Sequence, residues 1–405
     1  MPMRSWWRKR PVRRAMLLAH RWPGIVLGLL LVIECTTGAM LLYRTEIFRA
    51  THSGLYQHTA AAHPLTPAQA IADVRRAHPG FGASWVARDN GVYAVGEPTY
   101  ARQWFVDPGT GHLNGLRDAN RGFFALLENV HDCGLTCAGE PLYSSWMATD
   151  VWDGGPTMFT GITRGGLILG VLGLSAVVLV ATSLRIWWPG RRRLRSRFVV
   201  RRGRGRFARD FDLHNVIGAI GLPFLLMWGV TGAALEFPVV ENVWVTITGG
   251  SVGAAPAYSV TPNPATAKDP RITAAAATDA ALRAAPGRAA FVGLPSRGAD
   301  YYEIDVISGY ASDAHRLIYS GDEYVYVDAH DASNLAVFDG GSGPAANRFY
   351  DKFLEPTHFG WNVNAWWRAI WFVLGLAPLA LFVTGISTWL FRREVRRRRR
   401  RAVAA

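Results

Sequence analysis

The sequence predicts a membrane α-helical protein: a four-helix transmembrane bundle with two extracytoplasmic α+β domains, built as a tandem parallel repeat. Three observations lead to this fold class. Half of the 405 residues are hydrophobic, the basic residues cluster at three places along the chain, and a segment that begins with histidine recurs at an offset of 194 residues.

Four apolar stretches are long enough to cross a hydrocarbon core of about 30 Å, which takes roughly 20 helical residues. Spans are predicted at 22–43, 162–188, 213–237 and 365–391. The first stretch is too long for a removable signal peptide and lacks a small-residue cleavage site, so we expect it to remain as an anchor.

The formal net charge of +14 is concentrated beside these spans. Arginines crowd the N-terminus (1–21), the loop 189–212 and the C-terminal tail (392–405). The positive-inside rule predicts that these segments and both termini are cytoplasmic, and that the long loops 44–161 and 238–364 face outward. Basic runs beside a membrane normally orient the protein and contact anionic lipid, so the charge does not indicate a nucleic-acid partner.

Each outward loop is predicted to fold as a small helix-plus-sheet domain. The runs 103–107, 302–306 and 324–328 alternate apolar and polar residues before a turn, which is typical of half-buried antiparallel strands. Short helices are predicted ahead of the strands, after Thr66 and over 273–284.

The repeat aligns a histidine with a later Thr-Gly pair. His20 precedes Thr37-Gly38, and His214 precedes Thr231-Gly232. Because each unit carries two spans, the copies have the same orientation about an axis along the membrane normal. His20 and His214 are therefore expected at the cytoplasmic face. His131 and His358, which precede the other two spans, are expected outside.

Four histidines on four spans, two at each face, are what two bis-imidazole haem sites would require. A neutral imidazole binds haem iron through one ring nitrogen, and two such ligands make a centre suited to electron transfer. Facing helices of a bundle can supply them. We predict one haem b on His20 and His214 and a second on His131 and His358. The alternative is that these histidines lie in the lipid headgroup region with hydrated side chains and bind no metal.

Other residues are candidates for supporting roles. Arg185 and Arg368 are predicted to pair with haem propionates, because charge-assisted bonds to carboxylates are strong in a partly dry site. Glu34 is a carboxyl inside a membrane span, where ionisable groups are usually functional, and Trp228 occupies its place in the second copy. We predict proton or quinol handling for Glu34. A protonated carboxyl bonded to a hydroxyl such as Thr37 remains the alternative.

Two cysteines lie in the first outward loop, where oxidising conditions permit a disulfide. Cys133 and Cys137 are predicted to form a local bridge, with a free or metal-binding pair as the alternative. Their spacing is not the C-x-x-C-H motif of c-type haem attachment.

Several segments together resemble the PepSY-associated transmembrane family over nearly the whole chain. They are 18–24, 107–111, 187–190, 212–214 and 357–360. That family includes bacterial inner-membrane di-haem reductases of ferric siderophores, grouped as iron-regulated membrane proteins. The resemblance implies PepSY-like outward domains, haem b and a role in iron acquisition. One departure is that about thirty residues separate His131 from its span, whereas His358 lies close to its own.

No flavin, nicotinamide or nucleotide fingerprint is present, so a membrane quinol or a cytoplasmic donor would have to supply electrons. The sequence predicts a reductase that passes electrons outward to a ferric siderophore or another ferric chelate. One alternative is a membrane-anchored PepSY binding or regulatory protein, such as a protease inhibitor or sensor, without redox activity. A small transporter with parallel repeats is the other.

Overall fold

The computed structural model describes residues 4–152, 161–188, 198–201, 203–253, 259–308, 323–338, 344–360 and 364–404, and side chains from residue 11 onward except that of residue 352. Thirteen α-helices and one sheet lie in these ranges. The helices are α1 (Arg4–Val26), α2 (Gly28–Leu41), α3 (Arg44–Thr51), α4 (Pro67–Ala77), α5 (Phe123–His131), α6 (Arg164–Trp187), α7 (Gly205–Glu236), α8 (Pro238–Ile247), α9 (Ala274–Ala284), α10 (Ala345–Phe349), α11 (Glu355–His358), α12 (Ala365–Gly375) and α13 (Ala377–Ala404). The strands are β1 (Trp85–Asp89), β2 (Val92–Gly96), β3 (Arg102–Val106), β4 (Leu113–Asp118), β5 (Arg288–Gly293), β6 (Tyr301–Ile307), β7 (Glu323–Asp328) and β8 (Leu335–Phe338).

Within the described ranges, three helical segments are long and apolar enough to cross a membrane: α6, α7 and the consecutive pair α12 and α13. A fourth candidate is the pair α1 and α2, which is bent by 63° between the two helices. The sequence predicted one span at 22–43 and did not predict the bend. Pro23 and the glycines at 24 and 28 surround the bend, and prolines and glycines are common causes of sharp helix kinks.

Three helices extend beyond the predicted spans. The helix α1 starts at Arg4 rather than at 22. The helix α7 starts at Gly205 rather than at 213, and its first turns bury Asp210 and Asp212. Arg201 binds the Asp212 carboxylate at 2.8 Å, and Ser387 donates to Asp210 at 2.6 Å. These contacts let a polar helix end continue past the apolar stretch. Residues 189–197 and 202 of the predicted basic loop lie outside the described residues, and α13 continues far past 391.

The long helices contact one another in a ring. The helix α6 packs along α7, α7 packs on α13, α13 contacts α2, and α1 returns to α6. Small residues allow the closest approach. A Cβ added at Gly173 on α6 would lie 2.7 Å from the main chain of Ala233 on α7, which fits the use of small residues at helix interfaces in membranes.

All eight strands form a single antiparallel sheet in the order β4-β3-β2-β1-β5-β6-β7-β8. The sequence predicted a separate helix-plus-sheet domain in each loop, and each loop does supply four strands and a covering helix. The two halves nevertheless join along β1 and β5, where Val86 lies opposite Val292. Since two membrane-crossing helices separate these strands in the chain, both halves lie on the same side of the membrane.

The sheet has an apolar core on each face. One face is covered by α4 and α9, whose alanines and Val74 pack against Val86, Ile304 and Val325. On the other face, Trp85 and Phe291 stack across the β1–β5 junction with ring centres 5.6 Å apart. Trp85 also covers Gly96 on β2, where any Cβ would collide with the indole. The aromatic stack ties the two halves into one structural unit.

Candidate functional site

The structure brings His20 on α1 and His214 on α7 together, as the sequence predicted. Their ring centres are 6.3 Å apart and their planes are nearly perpendicular, at 89°. We call them the distal pair, because they lie at the ends of the helices away from the sheet. His20 contacts the last turns of α6, at Thr182, whereas the opposite end of α6 packs under residues that follow α5.

Each Nδ1 atom of the distal pair faces a main-chain carbonyl and a threonine hydroxyl on a neighbouring helix. The partners, all at 3.1–3.2 Å, are Leu179 and Thr182 on α6 for His20, and Leu381 and Thr384 on α13 for His214. The threonine hydroxyls themselves donate to carbonyls of their own helices. Each Nδ1 therefore carries the proton and donates it, which leaves Nε2 as the lone-pair nitrogen of a neutral imidazole.

His131 and His358 are also brought together, by α5 and α11. Their ring centres are 6.4 Å apart with an interplanar angle of 45°, and we call them the sheet-side pair. His131 Nδ1 lies 2.8 Å from the main-chain oxygen of Glu34. His358 Nδ1 lies 2.6 Å from the hydroxyl of Thr231, which donates to the Met227 carbonyl at 2.8 Å. The same Nδ1 pattern thus holds at both pairs.

The Thr-Gly pair of the repeat contacts the imidazoles of the sheet-side pair. The Thr231 hydroxyl accepts a hydrogen bond from His358 Nδ1, and the Thr37 hydroxyl lies 3.4 Å from His131 Nδ1. The glycine that follows makes room for the ring: a Cβ at Gly38 would lie 2.7 Å from Nε2 of His131, and one at Gly232 would lie 3.4 Å from Cε1 of His358. The motif that marked the repeat therefore positions an imidazole.

Both pairs fit a bis-imidazole iron site. A ligating imidazole nitrogen lies about 2 Å from a first-row metal, and the ring centre lies roughly 1 Å further, so two ligands on one iron place their ring centres about 6 Å apart. The observed separations of 6.3 and 6.4 Å meet this requirement. Bonded Nδ1 atoms and free Nε2 atoms are the usual arrangement of metal-binding histidines. The donor set therefore suits haem iron.

His358 is held in the protonation state that coordination requires. Burial, and then the proximity of His131, lower the pKa of His358 to about 3. The imidazole is therefore neutral at physiological pH, and a metal can bind it without first displacing a proton.

Residues 132–152, which follow His131, fold back onto the start of α6. The main chains of Gly134 and Gly165 touch so closely that neither position accepts a Cβ. Buried Asn129 donates to the Pro141 carbonyl at 2.8 Å, and Cys133 and Cys137 form a disulfide. The insertion that separates His131 from its span in sequence therefore leaves it next to the span in space.

Glu34 lies directly against His131. One carboxylate oxygen is 3.0 Å from His131 Nδ1, whereas the Thr37 hydroxyl donates to the main-chain oxygen of Glu34 rather than to its carboxyl. The sequence did not predict this contact, because the two residues are 97 positions apart. Proton or quinol handling by Glu34 stays a prediction.

The two predicted propionate partners lie in different surroundings. Arg368 is buried, is ion-paired with Glu46 and stacks over Tyr43. Arg185 is exposed in the last turn of α6. Arg21, which sequence reasoning missed, follows His20 directly, and its buried Nε has no hydrogen-bond partner among the described residues. Its position beside a candidate ligand was the available signal.

A cavity of about 760 Å³ opens between the sheet and the helices, and Glu128 in its wall lies about one helical turn before His131 on α5. Its walls are largely apolar, with Met40, Phe124 and Phe372 among them, and its charged residues include Arg44 and Arg117. Pockets of about 300–1,000 Å³ with apolar walls and a few polar groups are typical ligand sites.

Arg117 is the cavity's distinctive charge. It forms no ion pair with any described residue; its guanidinium donates to Gln103 at 3.1 Å and stacks over Phe48. Burial, and then the neighbouring cation of Arg44, lower the pKa of Arg117 to about 10. The carboxylates of Glu128 and Asp89 act against this shift. Arg117 therefore offers a cation to an anionic occupant, in a wall that also holds the carboxylates of Asp118 and Glu128.

Helices that cross a membrane, a single sheet on one side of it, and two pairs of facing histidines define a multi-pass membrane protein with two candidate metal centres. The chain belongs to the PepSY-associated transmembrane family, since the family model described as "PepSY-associated TM region" matches residues 17–392. No curated protein matches the chain at a significant level.

Proposed function

We propose that this protein is a cytoplasmic-membrane di-haem b oxidoreductase that passes electrons outward and reduces a ferric siderophore or another ferric chelate. The observation that carries the proposal is the pairing of His20 with His214 and of His131 with His358. In each of these histidines Nδ1 has a hydrogen-bond partner and Nε2 has none among the described residues. Haem, when bound, supplies a one-electron couple whose potential the protein tunes. The reduction of Fe(III) to Fe(II) takes one electron from a membrane quinol or a cytoplasmic donor.

The separation of the pairs supports a transmembrane role. His214 and Thr231, which contacts His358, are 17 residues apart on α7, or about 25 Å at 1.5 Å per residue. A hydrocarbon core is about 30 Å thick. Two ligand pairs near opposite ends of the same helices would split electron transfer across the membrane into shorter steps. The hydrogen bonds at Nδ1 fix the orientation of the imidazoles at both ends.

The orientation follows from charge. The basic clusters at the termini predict that the ends away from the sheet are cytoplasmic, so the sheet-side pair faces outward together with the cavity. Glu128, which lines the cavity and pairs with Arg44 at 2.6 Å, precedes His131 by three residues on α5, about 4.5 Å along the helix. An anionic ferric chelate in the cavity would therefore dock next to the outer electron donor.

The decisive experiment is haem quantification per chain in purified protein, made with haem available. We expect two haems in the wild type, loss of one in His20→Ala and His214→Ala, and loss of the other in His131→Ala and His358→Ala. His63→Ala is the matched control, because this outward histidine is exposed. A colourless wild type would overturn the proposal and favour an anchored binding protein instead.

Docking has a separate test in the reoxidation of dithionite-reduced protein by ferric chelates. Loss of a charged hydrogen bond costs about 1.5–3 kcal/mol, so Arg117→Gln should slow reoxidation by anionic ferric tris-catecholate tenfold or more while leaving neutral ferric tris-acetohydroxamate nearly unaffected. Arg76→Gln, which changes an exposed arginine on α4, is the control. Equal slowing with both chelates would exclude the cavity as an anion site.

A further inference from the structure

The two histidine pairs differ in one respect, the partner of His131. His20, His214 and His358 have only carbonyl and hydroxyl partners at Nδ1 in the part of the chain that the structure describes. His131 has in addition a carboxylate, that of Glu34, at 3.0 Å.

The difference follows from an asymmetry of the repeat. Trp228 takes the place of Glu34 in the second copy, and its ring packs against Trp371 with centres 6.2 Å apart. The ligands of the sheet-side pair are therefore equivalent in position but unlike in their charged surroundings, whereas those of the distal pair have matching partners.

A carboxylate at this place changes the ligand in a defined way. His131 Nδ1 is hydrogen-bonded to the main-chain oxygen of Glu34 at 2.8 Å, and the carboxylate 3.0 Å away places a negative charge beside the ring. A negative group at this second-shell position makes the imidazole a stronger base toward a metal. A nearby negative charge also favours the more positive of two oxidation states. The Glu34 and His131 side chains are only 20% and 16% exposed, so solvent screens this charge weakly. Both effects stabilise ferric over ferrous iron.

We propose that Glu34 is a positioning residue that fixes His131 and lowers the reduction potential of the outer haem site, which makes that site the stronger electron donor to an external acceptor. This inference rests on the proposed function. It gives Glu34 a role through His131 rather than through a proton or a quinol.

The test is a spectroelectrochemical titration of the full-length protein with Glu34→Gln, since the amide keeps an acceptor oxygen but removes the charge. A tenfold weaker preference for ferric iron corresponds to about 59 mV for one electron, so we expect the outer midpoint to rise by about that amount and the inner midpoint to stay. Glu236→Gln is the matched control: it removes a nearby carboxyl that has no described contact with a paired histidine.

Three outcomes would overturn the inference: unchanged midpoints in a Glu34→Gln protein that retains both haems, an equal rise in Glu236→Gln, or an inner midpoint that moves as far as the outer one. If Glu34→Gln loses the outer haem, Glu34→Asp decides, because it keeps the charge. If the midpoint potential of the outer haem is unchanged in Glu34→Asp, the inference is supported. If that potential rises by about 59 mV, which corresponds to a tenfold change, the inference is contradicted. Absence of haem from the wild type would instead overturn the proposed function.

Discussion

The glycines that follow the two threonines of the repeat offer a matched perturbation, Gly38→Ala against Gly232→Ala. At Gly38, the new methyl group would overlap Cε1 of His131 and lie 2.7 Å from Nε2, whereas at Gly232 its nearest neighbour is 3.4 Å away. Restoring ordinary contact at Gly38 requires the ring to move by about 1 Å, which exceeds the roughly 0.5 Å within which a ligand constellation must be held.

The expected magnitudes combine two opposing effects. Overpacking a tight site lowers the free energy of unfolding by about 1–3 kcal/mol, and replacing glycine with alanine inside a helix raises it by about 1 kcal/mol. Gly38→Ala should therefore lose between about 0 and 2 kcal/mol of stability and, more tellingly, the outer haem site. Gly232→Ala should be neutral or stabilised by up to about 1 kcal/mol and keep both haems.

The assay is haem per chain from the Soret absorbance, together with thermal unfolding followed by tryptophan fluorescence. The inner haem, held by His20 and His214, serves as an internal standard in every sample. Two intact haems with wild-type spectra in Gly38→Ala would refute the tight packing of His131 against Gly38. Equal haem loss in Gly232→Ala would show that the site tolerates no methyl at either position, and would also refute the reasoning.

Three further predictions address the sheet and the segment after α5. Replacing Cys133 and Cys137 with serine opens a five-residue loop. The unfolded chain gains conformational entropy, so we expect the free energy of unfolding to fall by about 2 kcal/mol and the outer haem to be depleted. An unchanged haem content and melting temperature would contradict this. Trp85→Ala should lower the free energy of unfolding by about 3–5 kcal/mol, because the indole bridges the two halves of the sheet. Trp146→Ala is the control and should change it little, since Trp146 is 63% exposed. Similar melting temperatures of the two variants would exclude a structural role for the stack. Burial alone would raise the pKa of Asp107, but hydrogen bonds from Thr59, Gly109 and Thr110 lower it to about 2. This carboxylate therefore stabilises the fold above about pH 4, and its contribution should vanish as pH falls toward 2. Between about pH 4 and pH 2, the free energy of unfolding of the wild type should fall by about 1–3 kcal/mol more than that of Asp107→Asn, as measured by thermal unfolding. If stability depends on pH in the same way in both proteins, the reasoning is wrong.

The repeat was sufficient to predict that His20 and His214 meet, whereas His131 and His358 were paired only because each precedes one of the other two spans. His20 and His214 occupy the same register, so any arrangement that superposes the copies places them at the same end. The contacts that orient each ring were not predictable. Leu179 and Thr182 come from another helix, and nothing in the sequence says how α6 is rotated against α1.

The joined sheet and the bend before α2 also required the structure. Strand alternation in the sequence identified the runs that form β3, β6 and β7, but neither β1 nor β5. The edge of a strand also carries no sequence feature that identifies the edge with which it pairs. Pro23 lies near the start of the predicted first span, and a proline in a membrane helix is compatible with either a straight or a kinked course. At the 63° bend, the Phe382 ring of α13 lies against Gly28, a contact that the sequence does not reveal.

The pairing of β1 with β5 imposes an order of events during synthesis. About 200 residues separate the two strands, and chains elongate at roughly 5–20 residues per second, so the edge of β1 waits about 10–40 s before its partner exists. During that interval the first half is an open-edged half-sheet that can pair with the wrong strand. Completion of the fold must therefore follow insertion of both α6 and α7, and a delay at either helix would prolong the period in which the nascent protein is vulnerable to aggregation.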